Sequence, residues 1–230
     1  YGNCYRCAYN LKPETCKVEC LKVIEDQLFR HILPADEVAG ILMEPIQGEG
    51  GYVVPPQKWF DELQAIAHRH KICIIADEVQ SGMGRTGKMF ASEHFGLEPD
   101  ILTLAKGIAS GLPLSAVVAR PEFMSWKPGA HASTFGGNPV ACAASLTTIE
   151  LLEQELIDNA AKIGAHIMDR LRTWPARFPQ VGDVRGRGLM IGIEFVKDQE
   201  TRERNPELRD QLEMLAFERG LLVLGCGPNS

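Results

Sequence analysis

The sequence predicts an α/β protein built on a mostly parallel sheet. Short apolar runs of strand length alternate with longer stretches of helical periodicity from Leu21 to Ala119, the pattern of a sheet covered by helices on both faces. Three of those runs stop at or just before an ionisable residue, Glu44, Asp77 or Lys106. The 230 residues, 45% apolar and 23% charged, supply enough apolar material for a core of that kind. The net charge of −6, from 24 Lys+Arg against 30 Asp+Glu, is small and argues against disorder. It also leaves no concentrated basic footprint for nucleic acid. No apolar run approaches the ~18 residues of a membrane span, and nothing at the start reads as a signal peptide. Composition points to a soluble globular protein, more in keeping with an enzyme than a scaffold.

The elements follow in order. Residues 1–20 read as irregular. Leu21, Ile24, Leu28 and Ile32 recur at spacings of three and four, an amphipathic helix over 21–33. Val38–Met43 is a buried strand closed by Glu44-Pro45. Gly48, Gly50 and Gly51 mark a loop. Pro55-Pro56 opens a helix with Trp59, Phe60, Leu63, Ile66 and Ala67 on one face. Ile72–Ala76, Asp100–Leu104 and Ser115–Ala119 are three further strands. Pro139–Glu155 and Leu156–Trp174 read as long helices, and 188–196 as a strand burying Leu189, Ile191, Ile193 and Phe195. A helix through Leu208, Leu212, Leu215 and Ala216 ends at Gly220, and Leu221–Leu224 is a last strand. The expected organisation is a large α/β domain over 1–140, connecting helices over 141–174 and a small α+β domain over 175–230. The start at Tyr1 and the stop just after an apolar run read as cut ends, so a fragment is expected.

Seven cysteines are present. Cys4, Cys7, Cys16 and Cys20 form C-x2-C-x8-C-x3-C, a spacing that can place thiolates on a tetrahedral ion. The plainer reading is four reduced thiols of an intracellular, cytoplasmic chain, and no metal is expected. Cys73, Cys142 and Cys226 read as small buried hydrophobes.

Open α/β sheets bind ligands beyond the carboxyl ends of their strands. If the strands are parallel neighbours, Glu44, Asp77 and Lys106 converge on one rim. A lysine there, among apolar and small residues, is expected to be desolvated and nucleophilic. A carboxylate ending a buried strand, as Asp77 does, suits the protonated ring nitrogen of pyridoxal phosphate; its plainer role is a cap or a structural ion pair.

Five stretches together carry a resemblance. They are Glu44-Pro45-Ile46-Gln47-Gly48-Glu49-Gly50-Gly51, Ile75 to Gly82, Gly84-Arg85-Thr86-Gly87, Lys106-Gly107, and Ser133-Thr134-Phe135-Gly136-Gly137-Asn138-Pro139. In order and spacing, including 29 positions from Asp77 to Lys106, the chain resembles the class III aminotransferases, the ornithine and 4-aminobutyrate group. The resemblance implies the fold type I architecture of pyridoxal-phosphate enzymes. It implies Lys106 as the lysine that carries the cofactor and later moves the proton, and Asp77 as the partner of the ring nitrogen. By the same likeness Val79 packs on the ring face and Gln80 binds the phenolic oxygen. Thr134 reaches the phosphate of a partner subunit in a homodimer. Glu49 is the specificity residue, pairing with a small-domain arginine when an ω-amine is bound, and Glu44 supports the same rim. Substrates so implied are an ω-amino acid such as 4-aminobutyrate and a 2-oxo acid such as 2-oxoglutarate.

The family's phosphate-binding Gly-Ser turn, its aromatic stacking residue and its small-domain arginine are not found in this sequence. The chain therefore looks like the second part of a longer subunit, expected to be inactive or nearly so alone. Aminomutases of the glutamate-semialdehyde type lack the Gln47-Gly48-Glu49 stretch. Racemases of the same fold share the lysine, the aspartate and the glycine loop, and some carry a similar cysteine-rich segment; they are the competing reading. In Arg185-Gly186-Arg187-Gly188, a tight glycine turn with solvated arginines is preferred to an anion site.

Overall fold

Residues 1–230 are all described by a computed structural model. Two sheets organise the chain. The first contains β1 (Gly40–Met43), β2 (Cys73–Asp77), β3 (Ile101–Leu104) and β4 (Ala116–Ala119), in that spatial order. β1 to β3 run parallel, and β4 returns antiparallel to β3. A parallel pair needs a crossover, and between β1 and β2 it is the helix α2 (Gln57–His70). Pro56 stands just before its first turn in extended backbone, and Lys71 stops it at φ 57, its N–H turned back to the carbonyls of Ala67 and His68.

α2 lays Trp59, Phe60, Leu63, Ile66 and Ala67 onto the sheet beside Ile46, Ile74 and Ala76. Phe60 stacks on Phe95 with ring centroids 4.0 Å apart. Burying each such aromatic or branched side chain is worth roughly 1.5–3 kcal/mol. The other face of the sheet is open, against the expectation of cover on both sides. Leu42 of β1 is 64% exposed, because alternate residues of a strand point to opposite faces and the helix packs on only one; Val117 and Val118 of β4 are 47% and 51% exposed, so neither face of that strand is covered.

At the start, α1 (Glu19–Val23) runs on into a wider π-helical stretch, Ile24–Ile32. The periodicity located this helix, but Ile32 lies exposed at its far end. After β4, α3 (Pro139–Leu151) opens on Asn138, whose side chain accepts from the N–H groups of Val140 and Ala141. α3 continues through a π-helical turn, Leu152–Leu156, into α4 (Ile157–Leu171), and α5 (Trp174–Arg177) is a single turn. Cys142 on α3 is exposed rather than buried.

The second sheet has the order β5 (Val181–Arg187), β6 (Met190–Asp198), β7 (Glu203–Arg204), all antiparallel. β6 matches the expected strand, but the more deeply buried face has the opposite parity. Met190, Gly192, Glu194 and Val196 are buried, whereas Ile191, Ile193 and Phe195 are half-buried beside α6 (Pro206–Glu218). α6 packs against one face of β6, and the polar network on Glu194 claims the other, deeper one. Leu221–Leu224 is not a strand. It finds no edge to pair with and leaves Leu222 80% and Leu224 83% exposed. No helix is long and apolar enough to cross a membrane.

Candidate active site

The register of the first sheet builds the site. Met43 pairs with Ala76 and Asp77 with Thr103, so β1, β2 and β3 end together. Glu44, Asp77 and Lys106 therefore leave the sheet on one rim, as their places at strand ends predicted. Electrostatics report the same closeness. Burial pushes the Glu44 carboxyl above the usual carboxylate range; the Gly48 N–H opposes this, the Asp77 charge adds to it, Lys106 opposes and Glu49 adds. The Gly48 N–H donates to Glu44 Oε1 at 3.2 Å.

Asp77 is half-buried and held through one oxygen. Its Oδ1 accepts from Val79 N–H at 3.0 Å and from the Thr103 hydroxyl at 3.2 Å. Oδ2 takes no hydrogen bond within the chain, leaving a directed, anchored acceptor. The next residue, Glu78, is completely buried. Its carboxylate accepts from Ser81 Oγ at 2.6 Å, Ala91 N–H at 3.1 Å, and both the N–H and hydroxyl of Ser92 at 2.8 Å. Four donors compensate for desolvating this carboxylate and fix the turn that carries Val79 and Gln80. In the sequence Glu78 is marked only as a second carboxylate directly after a buried strand.

Lys106 follows β3 by two positions and opens a single 3-10 turn, Lys106–Ala109. Its backbone is left-handed at φ 39, unusual for a residue with a Cβ. The side chain is exposed, not desolvated as expected, because it projects past the strand end into an open cleft. That cleft, about 380 Å³, is lined by Lys106, Glu49, Val79, Gln80, Arg85 and Tyr52 among others. Gln80 Nε2 donates to Glu49 Oε1 at 2.9 Å. Gly48 permits that approach, since a Cβ there would meet the Gln80 side chain at 2.2 Å. Glu49 thus faces an amide, and no arginine pairs with it here.

Glu44 and Asp77 line a different cleft, shared with Tyr1 and Gln47. Thr134 is not brought to either. It lies exposed between Ser133 and Phe135, which line a separate groove with Pro113, Leu114 and Ser115. Cys4, Cys7, Cys16 and Cys20 are half-buried free thiols. Burial and then the charges of Cys16, Cys20 and Cys7 push the Cys4 thiol up. The thiols are neighbours, yet no three metal-ligating side chains stand arranged around one ion. Arg185 is not solvated as expected: its side chain is 11% exposed and paired to Asp183 and Glu194, whereas Arg187 is exposed.

A family model described as aminotransferase class-III matches residues 3–230. A leucine/methionine racemase of Thermococcus litoralis is 47% identical over 97% of this chain and 51% of its own length. A 4-aminobutyrate aminotransferase of Mycobacterium leprae is 46% identical over 90% of this chain and 46% of its own. Among solved structures, an amine transaminase from an uncultivated Pseudomonas species, in its PLP-bound form, superposes with a TM-score of 0.89 at 36% identity, covering 97% of this chain and 53% of that one. The chain spans about half the length of the curated relatives it matches.

Proposed function

The chain belongs to the class III aminotransferase family, and from that premise we propose that it supplies the lysine-bearing part of a pyridoxal-phosphate site that transfers an amino group from an ω-amino acid, such as 4-aminobutyrate, to 2-oxoglutarate. The observation that carries this reading is one cleft holding Lys106, Val79, Gln80 and Glu49, with Glu49 bonded to Gln80. The unbonded Oδ2 of the anchored Asp77 fits a protonated ring nitrogen. When bound, the cofactor supplies an electron sink for charge developing at the amine-bearing carbon.

The residues divide the remaining work. Lys106 would hold the cofactor, and its amine would take the proton from the amine-bearing carbon and pass it to the cofactor's aldehyde-derived carbon. Val79 offers a branched apolar surface to the ring, and Gln80 a neutral amide to the ring oxygen. Glu49 sorts donors, tolerating an ω-amine and yielding to an α-carboxylate, with Glu44 behind it. Thr134 serves the phosphate of a second subunit in a homodimer, which suits its distance from the clefts of its own chain. The test is glutamate formation from 2-oxoglutarate, in the protein that carries this chain, supplied with pyridoxal phosphate and 4-aminobutyrate or another ω-amine. Absence of glutamate with every ω-amine would sink the reading.

A second reading is favoured by the 47% identity to a leucine/methionine racemase. Proton removal by Lys106 from one face, with return to the opposite face from a second acid or from water, would invert an α-carbon without any oxo acid. Conversion of L-leucine or L-methionine to the D-form with no 2-oxo acid present decides for racemisation.

A further inference from the structure

The guanidinium of Arg185 uses all five of its N–H donors. Nε and one terminal nitrogen both donate to the Gly51 carbonyl, at 3.0 and 2.5 Å. That same nitrogen donates to Ser230 Oγ at 3.0 Å. The other donates to Asp183 at 2.9 Å and to the buried Glu194 at 2.7 Å. Gly51 lies two residues from Glu49, and the Glu49 carbonyl itself accepts from the Gly227 N–H at 2.7 Å. The loop carrying the cleft's acid is thus gripped twice from outside the first sheet.

Glycines make the grip close. Gly51 has φ +113, and a Cβ on it would stand 3.2 Å from the Arg185 guanidinium. A Cβ on Gly192 of β6 would stand 3.0 Å from Tyr52 and 3.3 Å from the Gly51 carbonyl, and one on Gly227 would stand 3.0 Å from the Gly50 carbonyl. Within the loop, the N–H groups of Gly51 and Tyr52 both turn to the Gly48 carbonyl. The loop is a small closed turn, docked whole onto the second sheet.

We propose that Arg185 is the positioning residue for Glu49, so that the second sheet sets where the Glu49 carboxylate stands in the Lys106 cleft and thereby which amino donors it accepts. The positioning stands on geometry alone; the effect on donor choice rests on the amino-transfer reading above. Lysine cannot replace the fork, because an ammonium is a point charge without two parallel donors for one carbonyl.

Amide hydrogen exchange on this chain tests the positioning. In the unaltered protein the Gly51 and Tyr52 amides should share the protection and denaturant dependence of the β5–β6 ladder, as one cooperative unit. In Arg185→Lys their protection should fall by about tenfold or more, with the α2 amides essentially unchanged as a check on folding. The proposal is overturned if those two amides already exchange about tenfold faster than the ladder in the unaltered chain, or if they keep their protection in a folded Arg185→Lys. Should that variant not fold, the unaltered chain alone decides. In the active protein, Arg185→Lys should change the ratio of kcat/KM between ω-amine and α-amino donors by about tenfold, with cofactor Kd nearly constant. Equal losses for both donors overturn the role in donor choice. Absence of transamination in the unaltered protein refutes the earlier reading and leaves the exchange result standing.

Discussion

Lys106 combines a chemical and a conformational peculiarity. Its left-handed backbone costs a residue with a Cβ roughly 1–2 kcal/mol, offset by the paired strand before it and the buried Ile108 and Ala109 after it. Removing the amine and removing the Cβ should therefore separate. Lys106→Ala and Lys106→Gly are both expected to lose the visible absorbance of bound pyridoxal phosphate. Urea unfolding should find the glycine variant the more stable of the two by about 1 kcal/mol. His94 gives the pH dependence. Its Nε2 stands 3.0 Å from the Thr86 carbonyl, and burial first, against that hydrogen bond, holds the imidazole below its ordinary value. The unfolded chain then binds the proton more readily than the folded one, so the contribution is complete above about pH 6.5 and is lost as pH falls through the window below it. His94→Gln should flatten that acid limb, measured as urea midpoints at neutral and mildly acidic pH.

The turn between β5 and β6 is the tightest meeting of elements. A Cβ on Gly164 of α4 would stand 2.1 Å from the Gly188 carbonyl, and one on Gly188, at φ 53, would stand 2.3 Å from the Thr86 backbone. Gly164→Ala must push helix and hairpin apart, a loss of about 1–3 kcal/mol expected as a lower urea midpoint with an unchanged slope. Neither contact announces itself in sequence, since a lone glycine in a helical pattern reads only as a weak point. What was legible had a local pattern. β1, β2 and β3 are apolar runs with abrupt polar ends, and those ends named Glu44, Asp77 and Lys106. β5 has only Val181 and Val184 as apolar side chains and owes its existence to the ladder with β6. Leu221–Leu224 has a strand's composition and no partner, so composition misled there. Arg185 gives no local sign of its burial, because its acceptor at Gly51 lies 134 positions away.

Across the whole molecule, the N-terminal stretch, the second sheet and the last residues are tied through Glu194. It is 2% exposed and binds Arg185, Arg6 and Asn229 together. A buried carboxylate between two guanidiniums is sustained only while its partners remain. Arg6 lies 188 positions from it in the chain, which means that this contact closes a loop of most of the sequence. Loop closure of that length is an entropic debt met late, after local helices and neighbouring strands have formed. Arg6→Ala should accordingly leave the refolding rate nearly unchanged and speed unfolding, so that the unfolding limb of the denaturant–rate plot rises while the folding limb stays in place. The carboxylate that joins the N-terminal stretch to the second sheet thus acts as a latch in time as well as in space: it contributes little to how fast the chain finds its shape and much to how long it keeps it.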